Sequence, residues 1–434
     1  MAQFRKDSHQ YLPQETTIFE VVMLADQYGN LVGPANPSGT SVDAFGRARM
    51  SQPLTLFDSS HRYQDNDKFN NANSATGSTI TYNTNSSTVS LNIRSSVANS
   101  YVYRETSKVF PYQPGKSLHI IKSFCMAPAQ TGLRQRVGYF GSQNGIYLEQ
   151  VDNTVNFVIR SSSTGSLVEN RVPQTSWDID PLNGTGPSLL TLDMTKTQIF
   201  WCDIEWLGVG TVRCGFVING QYIHCHSFHH ANLIDTTYMT TACLPLRAEI
   251  ENTNSMANNA TMNLICASVM SEGGYELRGR NRTAGHLPNS SYTLATAGVF
   301  YPVVSIRLKA ETPDAIVIPK NIALLGLSGN GTRLAYKLIE NANVGNGTWV
   351  SSGSDSAVQY NITANSLTGG TEFDQGYVYV SQQSSFSLTL TDDIFRMQLN
   401  RNSFSNTNST FTLAVAGAGS NDTCIGAINW MEIT

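Results

Sequence analysis

The chain has 434 residues, room for two to four domains at roughly 100–200 residues each. Its formal net charge is −4, from 28 Lys+Arg against 32 Asp+Glu, which excludes the strongly basic surface of a nucleic-acid binder. Charged residues make up only 14% of the chain, against about 25% in an ordinary soluble domain, so the polar surface has to be built from Ser, Thr, Asn and Gln.

The opening MAQFRKDSHQYLPQETTIFEVVMLAD carries Pro13, Glu15 and Glu20 where a signal peptide needs an unbroken apolar run, so no secretory signal is expected. Residues 1–65 read as a short strand (Thr17 to Leu24), a turn at Gly29-Asn30, a Gly/Pro/Ser loop and the segment DAFGRARMSQPLTLFDS at 43–59. From about Asp65 to Ser100 the chain is dense in Asn, Ser and Thr. Residues 79–82 and 88–93 nevertheless alternate with period two, which predicts surface strands with polar outer faces rather than a linker.

Between Thr197 and His230 the pattern is sharpest. In Gln198 to Trp206, Phe200, Cys202, Ile204 and Trp206 share one face, with Ile199, Trp201, Asp203 and Glu205 on the other. Asn219-Gly220 then predicts a two-residue hairpin between Thr211–Ile218 and Gln221–Phe228. A regular register sets Phe216 opposite Ile223 and Cys214 opposite Cys225. Val212, Cys214, Phe216, Ile218, Ile223 and Cys225 then face the core, and Arg213, Val217, Tyr222, His224 and His226 face outward. After about Val299, short apolar runs alternate with Gly and Asn in the manner of a β-sandwich; Arg333 to Glu340 alone fits strand and helix equally. The most apolar stretch, Ala315 to Leu327, is cut by Pro319, Lys320 and Asn321, so no membrane span is expected.

The chemistry-bearing residues are few. Seven cysteines without a CxxC pair suggest neither a disulfide framework nor a zinc ribbon, and free, core-packed thiols in a reducing compartment are expected. Position alone leaves open whether Cys214 and Cys225 are oxidised. His224, His226, His229 and His230, with Cys225 and Cys243, are the one cluster with metal-ligand character. Cys225 would point away from the His pair and Arg213 would face His226, so a polar sheet face is the expectation, with no metal and no cofactor.

Asp203 and Glu205, two apart on one strand, have a side-chain spacing of about 7 Å. That lies within the range glycosidases use for an acid/base and nucleophile pair. Concanavalin-like jelly rolls with hydrolase activity place three acids at i, i+2 and i+4; here the third position is Leu207, which favours a solvated or arginine-paired couple. Trp201 and Tyr222 on the same face offer rings for a host surface glycan. Nucleophile and nucleotide motifs are missing.

The stretch DAFGRARMSQPLTLFDSSHRY (43–63) resembles the signature of a family of virion structural proteins from tailed bacteriophages, notably large marine and cyanobacterial phages. Further matches are IEWLGVGTVRCGFVINGQYI (204–223), VVSIRLKAETPDAIVIPKNIALLGL (303–327) and INWMEI (428–433), so the resemblance runs through nearly the whole chain. Ala48 and Met50 depart from the pattern but stay apolar. The resemblance implies a tail, baseplate or fibre-associated component, made in the host cytoplasm and assembled with other virion proteins. It brings no catalytic residues.

Within the signature, Phe45, Leu54, Leu56 and Phe57 supply apolar anchors while Arg47, Arg49 and Asp58 supply charge, so the segment can dock on a partner subunit. Packing on its own chain's sandwich is the equal alternative. The expected architecture is all-β: an extended N-terminal arm with the attachment segment (1–65), a concanavalin-like or jelly-roll sandwich (66–297) and a C-terminal β-sandwich (298–434). The expected function is a non-enzymatic virion building block, working as a homo-oligomer. The alternatives are a head-fibre or capsid-decoration protein, and a carbohydrate-binding or carbohydrate-hydrolysing jelly roll using Asp203 and Glu205.

Overall fold

In the computed structural model, the described residues are 24–25, 31–32, 52–66, 68–74, 76–275, 279–328, 331–379, 386–389, 398–403 and 407–433. The chain forms two compact units, Met1–Gln52 and Pro53–Thr434. In the first unit, Leu24–Ala25 pairs antiparallel with Leu31–Val32. Phe45, Arg47 and Arg49 lie outside the described residues.

The second unit is built of antiparallel strands, and its one helical element among the described residues is the single 3-10 turn Gln174–Ser176. A seven-stranded sheet runs in the order Val168–Pro173, Thr154–Ser161, Gly145–Val151, Leu133–Phe140, Leu246–Asn252, Tyr101–Thr106 and Phe69–Asn73. An eight-stranded sheet runs Gln221–Phe228, Val212–Ile218, Gln198–Ile204, Ser117–Cys125, Ala260–Glu272, Thr88–Ile93 and Ser78–Asn83, with Leu54–Ser60 also paired to Ala260–Glu272. Their inner faces enclose a core that includes Val89, Leu91, Ile120, Phe124, Val137, Tyr139, Leu148, Phe157, Phe200 and Phe216. The polar tract contributes as its alternation predicts: Val89, Leu91 and Ile93 are buried, while Ser90 and Asn92 are only half-buried.

A second core gathers Val304, Ile306, Leu324, Leu338, Phe411, Leu413, Ile428 and Trp430 between a five-stranded and a six-stranded sheet. Arg333–Glu340, ambiguous in sequence, is a strand: Leu334, Tyr336 and Leu338 alternate into this core. The two runs flanking Pro319 form one strand, Ile316–Gly326, whose register shifts between Pro319 and Asn321. The bulge lets the ladder pass a residue with no N–H to donate. The chain is thus all-β, a jelly-roll sandwich followed by a second sandwich.

Two local expectations need correction. Leu54–Ser60 is a sheet strand and not part of an extended arm, because Leu56 and Phe57 find apolar partners on the first core. The 211–228 hairpin also keeps its predicted register only near the turn. Phe216 faces Ile223 and Val217 faces Tyr222, but the register shifts between Cys214 and Gly215. Cys214 therefore faces His226, and Arg213 faces Ser227. The extra residue on one strand reverses the side-chain phase beyond it.

Candidate functional site

Asp203 sits at the middle of three strands, with His119 opposite it on one side and Arg213 on the other. Arg213 Nη2 donates to Asp203 Oδ2 at 2.5 Å, and His119 Nδ1 meets Asp203 Oδ1. His119 Nε2 lies 3.3 Å from the Tyr222 hydroxyl, so Arg213, Asp203, His119 and Tyr222 form one polar chain across the sheet. Asp203 and His119 are buried, whereas Tyr222 is 52% exposed. Partial burial, with Asp203 and Glu272 nearby, pushes the Tyr222 phenol up.

One row along, Trp201 lies opposite Gly215. A Cβ on Gly215 would come within 2.8 Å of Trp201 Cζ2 and 2.0 Å of the Ile223 carbonyl, so the indole can cross this strand only over a glycine. Trp201 Nε1 donates to the Phe216 carbonyl at 3.2 Å. The Tyr222 ring meets Trp201 edge-on at 5.7 Å, and the His119 ring lies 5.6 Å from Tyr222. Beside this cluster opens a cleft of about 430 Å³ lined in part by Lys116, Ser117, Asp203, Glu205, Thr211 and Arg213.

The structure therefore brings Trp201, Asp203 and Tyr222 together. Glu205 lies just past the strand end, exposed, with its Oε2 accepting from the Thr211 backbone at 3.3 Å. The expected acid pair shares the cleft, but both oxygens of Asp203 are already engaged by Arg213 and His119.

The histidines do not converge. The bulge puts His226 opposite core-facing Cys214, where its Nδ1 lies 2.8 Å from Asp178 Oδ1, while His224 stays opposite Gly215 and contacts Ser227 Oγ at 3.0 Å. His230 Nδ1 reaches the Gly210 carbonyl at 2.6 Å, and its ring stacks on Tyr238. Burial lowers the His230 and His224 imidazoles. The expectation that His224 and His226 share a face fails at the bulge. No group of three or more His, Cys, Asp or Glu among the described residues is arranged to hold a metal. Cys214 faces Cys202 and not Cys225; all three thiols are free and buried, and burial pushes each up.

Of the attachment segment, Leu54, Leu56, Phe57 and Asp58 are placed on the edge of Ala260–Glu272. The Phe57 ring lies 5.1 Å from Phe110 and 5.8 Å from Phe69, while Asp58 is exposed. Just beyond, Arg104 is 1% exposed: it holds Asp65 at 2.5 Å and Asn71 Oδ1 at 2.7 Å, and covers the Phe69 ring at 4.5 Å. Burial, reinforced by Arg104, pushes the His61 imidazole down to about 4. For residues 54–58, the alternative in which the signature packs on its own sandwich is the one observed.

Sequence reasoning missed a charged lattice on the outer face of the seven-stranded sheet. Arg136 pairs with Glu249 and, at 2.8 Å, Glu251; Arg247 pairs with Glu249 and, at 2.8 Å, Glu105. Arg160 reaches Glu169 and Arg171 reaches Glu149, each at 2.7 Å. These guanidinium groups blanket Tyr103, Phe140 and Tyr147. Burial raises the Glu169 carboxyl, but hydrogen bonds from Tyr147 and Arg160 outweigh it and hold the group down at about 2. Period-two charge in LRQRV (133–137), VENRV (168–172) and LRAEIEN (246–252) is the signal that marks these strands.

No protein-family model matches this chain, and no curated protein sequence matches it. Solved structures similar to about half of it include the following three. The catalytic domain of an endo-1,3-beta-glucanase (laminarinase) from Thermotoga petrophila is 11% identical, with a TM-score of 0.35 over 52% of this chain and 100% of that one. The CBM2 module of the evolved Dit of Lactobacillus casei phage J-1 is 6% identical, with a TM-score of 0.34 over 52% of this chain and 100% of that one. A conserved carbohydrate esterase from the Shiga toxin-encoding bacteriophage phi24B is 8% identical, with a TM-score of 0.29 over 50% of this chain and 99% of that one.

Proposed function

We propose that this chain is a non-enzymatic virion structural protein of a tailed bacteriophage, a tail, baseplate or fibre-associated component that assembles with itself and with other virion subunits. The family reading is supported by the DAFGRARMSQPLTLFDSSHRY signature and its companion matches. The non-enzymatic reading is carried by one observation: Asp203, the better placed acid of the candidate pair, spends both oxygens on Arg213 and His119. A carboxylate engaged in this way braces the sheet and does not stand free to attack a substrate.

Peptide mass spectrometry of purified particles tests the proposal. The chain should persist through density-gradient banding at a fixed copy number per particle. Its absence from banded particles, with recovery only in the host lysate, contradicts it.

A second reading, contact with a host glycan at this face, is favoured by the half-exposed Tyr222 ring beside Trp201, His119 and the open cleft. A sugar ring can stack on the tyrosine while its hydroxyls meet Lys116, Glu205 and Arg213.

A further inference from the structure

The second sandwich carries a separate aromatic surface. Strand Thr371–Tyr379 ends the order of the six-stranded sheet, so among the described residues no strand pairs with its far edge. Tyr377 is 77% exposed and Tyr379 64%. Their inner-facing neighbour Val378 lies opposite Leu334 and is buried, so both tyrosines stand on the outer face, about 7 Å apart along the strand. Beside Tyr377 comes Ala335 and, beyond it, Ala416, so no bulky side chain rises directly beside the Tyr377 ring from that side.

Polar groups frame the pair. Gln375 Nε2 donates to the Tyr377 hydroxyl at 3.0 Å, Arg333 lies opposite Tyr379, and Lys337 is closed onto Glu372 at 2.7 Å. A register shift between Leu338 and Ile339 separates Phe373 from this row, and its ring lies 5.5 Å from core Phe411. Phe373 is 37% exposed, so the exposed apolar area is the two tyrosine rings and an edge of Phe373. A specific protein interface needs roughly 800 Å² per partner, which two rings do not supply. Two sugar residues need no more than this.

The geometry points to a binding platform for a neutral oligosaccharide on this edge: C–H faces of consecutive pyranose rings stack on Tyr377 and Tyr379, and their hydroxyls meet Gln375, Arg333 and the two phenols. The Lys337–Glu372 pair is closed at one end, and exposed Arg333 at the other offers its N–H groups to sugar hydroxyls. The platform is distinct from the Tyr222 face, and it stands or falls independently of whether the chain belongs to a virion.

The test is an array of neutral and acidic oligosaccharides probed with the full chain and with Y377A/Y379A and Y377F/Y379F. Neutral oligosaccharides should be retained by the unaltered chain and by Y377F/Y379F, and lost at least tenfold by Y377A/Y379A. The substituted side chains are exposed, and matching circular dichroism spectra establish that the variants fold. Retention unchanged in Y377A/Y379A, or no neutral oligosaccharide retained by the unaltered chain, overturns the platform. So does a Y377A/Y379A effect confined to self-association in sedimentation, which would make the edge a protein contact.

Discussion

Asp203 and Arg213 face each other across neighbouring antiparallel strands, with Oδ2 and Nη2 2.5 Å apart, and His119 closes on the other carboxylate oxygen from the opposite side. The acid at the most enzyme-like position of the chain thus joins three strands. Asp203→Ala removes two contacts from a nearly buried site and strands His119, so a loss of about 1–3 kcal/mol is expected from urea unfolding. Arg213 is half exposed, and Arg213→Ala should cost well under 1 kcal/mol. Equal losses would show that the pair is not organised as described.

Gly215 permits Trp201 to cross its strand. Gly215→Ala forces the indole or the Ile223 backbone to move, and overpacking of this kind costs about 1–3 kcal/mol. Thermal unfolding should shift down, and near-ultraviolet circular dichroism should report a changed tryptophan environment. An unaltered spectrum would contradict the contact.

Lys122 is enclosed in the first sandwich, with Nζ donating to the Arg247 carbonyl at 2.8 Å; burial, reinforced by Arg104, lowers its amine to about 7. The unfolded chain keeps this proton up to about 10.5. Between those values the unfolded state binds more protons, so stability rises with pH and is lost again as pH falls toward 7. Lys122→Met should flatten this slope and raise the unfolding midpoint most below pH 7. A variant less stable than the unaltered chain at pH 6 would contradict this.

Glu169 gives a loss of the same sign in a more acidic window. Its folded-state value of about 2 lies below the ordinary 4.5, so its contribution is complete above pH 4.5 and disappears as pH falls toward 2. Glu169→Gln should lose stability at pH 6 and show a shallower decline through this window in acid titrations of unfolding. An unchanged acid profile would contradict the role given to Tyr147 and Arg160.

Cys266 is exposed, whereas Cys202, Cys214 and Cys225 are buried thiols. Iodoacetamide under native conditions should label Cys266 first and leave the buried three untouched until denaturant is added. Mild oxidation should yield no Cys214–Cys225 bond, since the bulge places Cys214 opposite His226. Recovery of that disulfide by peptide mapping would contradict the register.

Period-two alternation located the strands that place the site, including the core face of Gln198–Ile204, and Asn219-Gly220 located the hairpin turn. The shift at Cys214/Gly215 was not legible, because the Asn219-Gly220 turn fixes the register only next to itself and nothing in the local alternation marks the extra residue. Nor was the charged lattice: Arg136 and Glu249 are separated by more than a hundred residues, and only the sheet order makes them neighbours. Leu54–Ser60 read as an arm because its partner strand, Ala260–Glu272, lies some two hundred residues further on.

A hydrolysis assay bears most directly on the role assigned to Asp203. Purified chain, Asp203→Ala and Glu205→Ala would be incubated with neutral and acidic polysaccharides, and released reducing ends counted. Release indistinguishable from the buffer blank for all three proteins is the predicted result. Turnover by the unaltered chain that disappears in Asp203→Ala, while that variant still folds, would contradict the account.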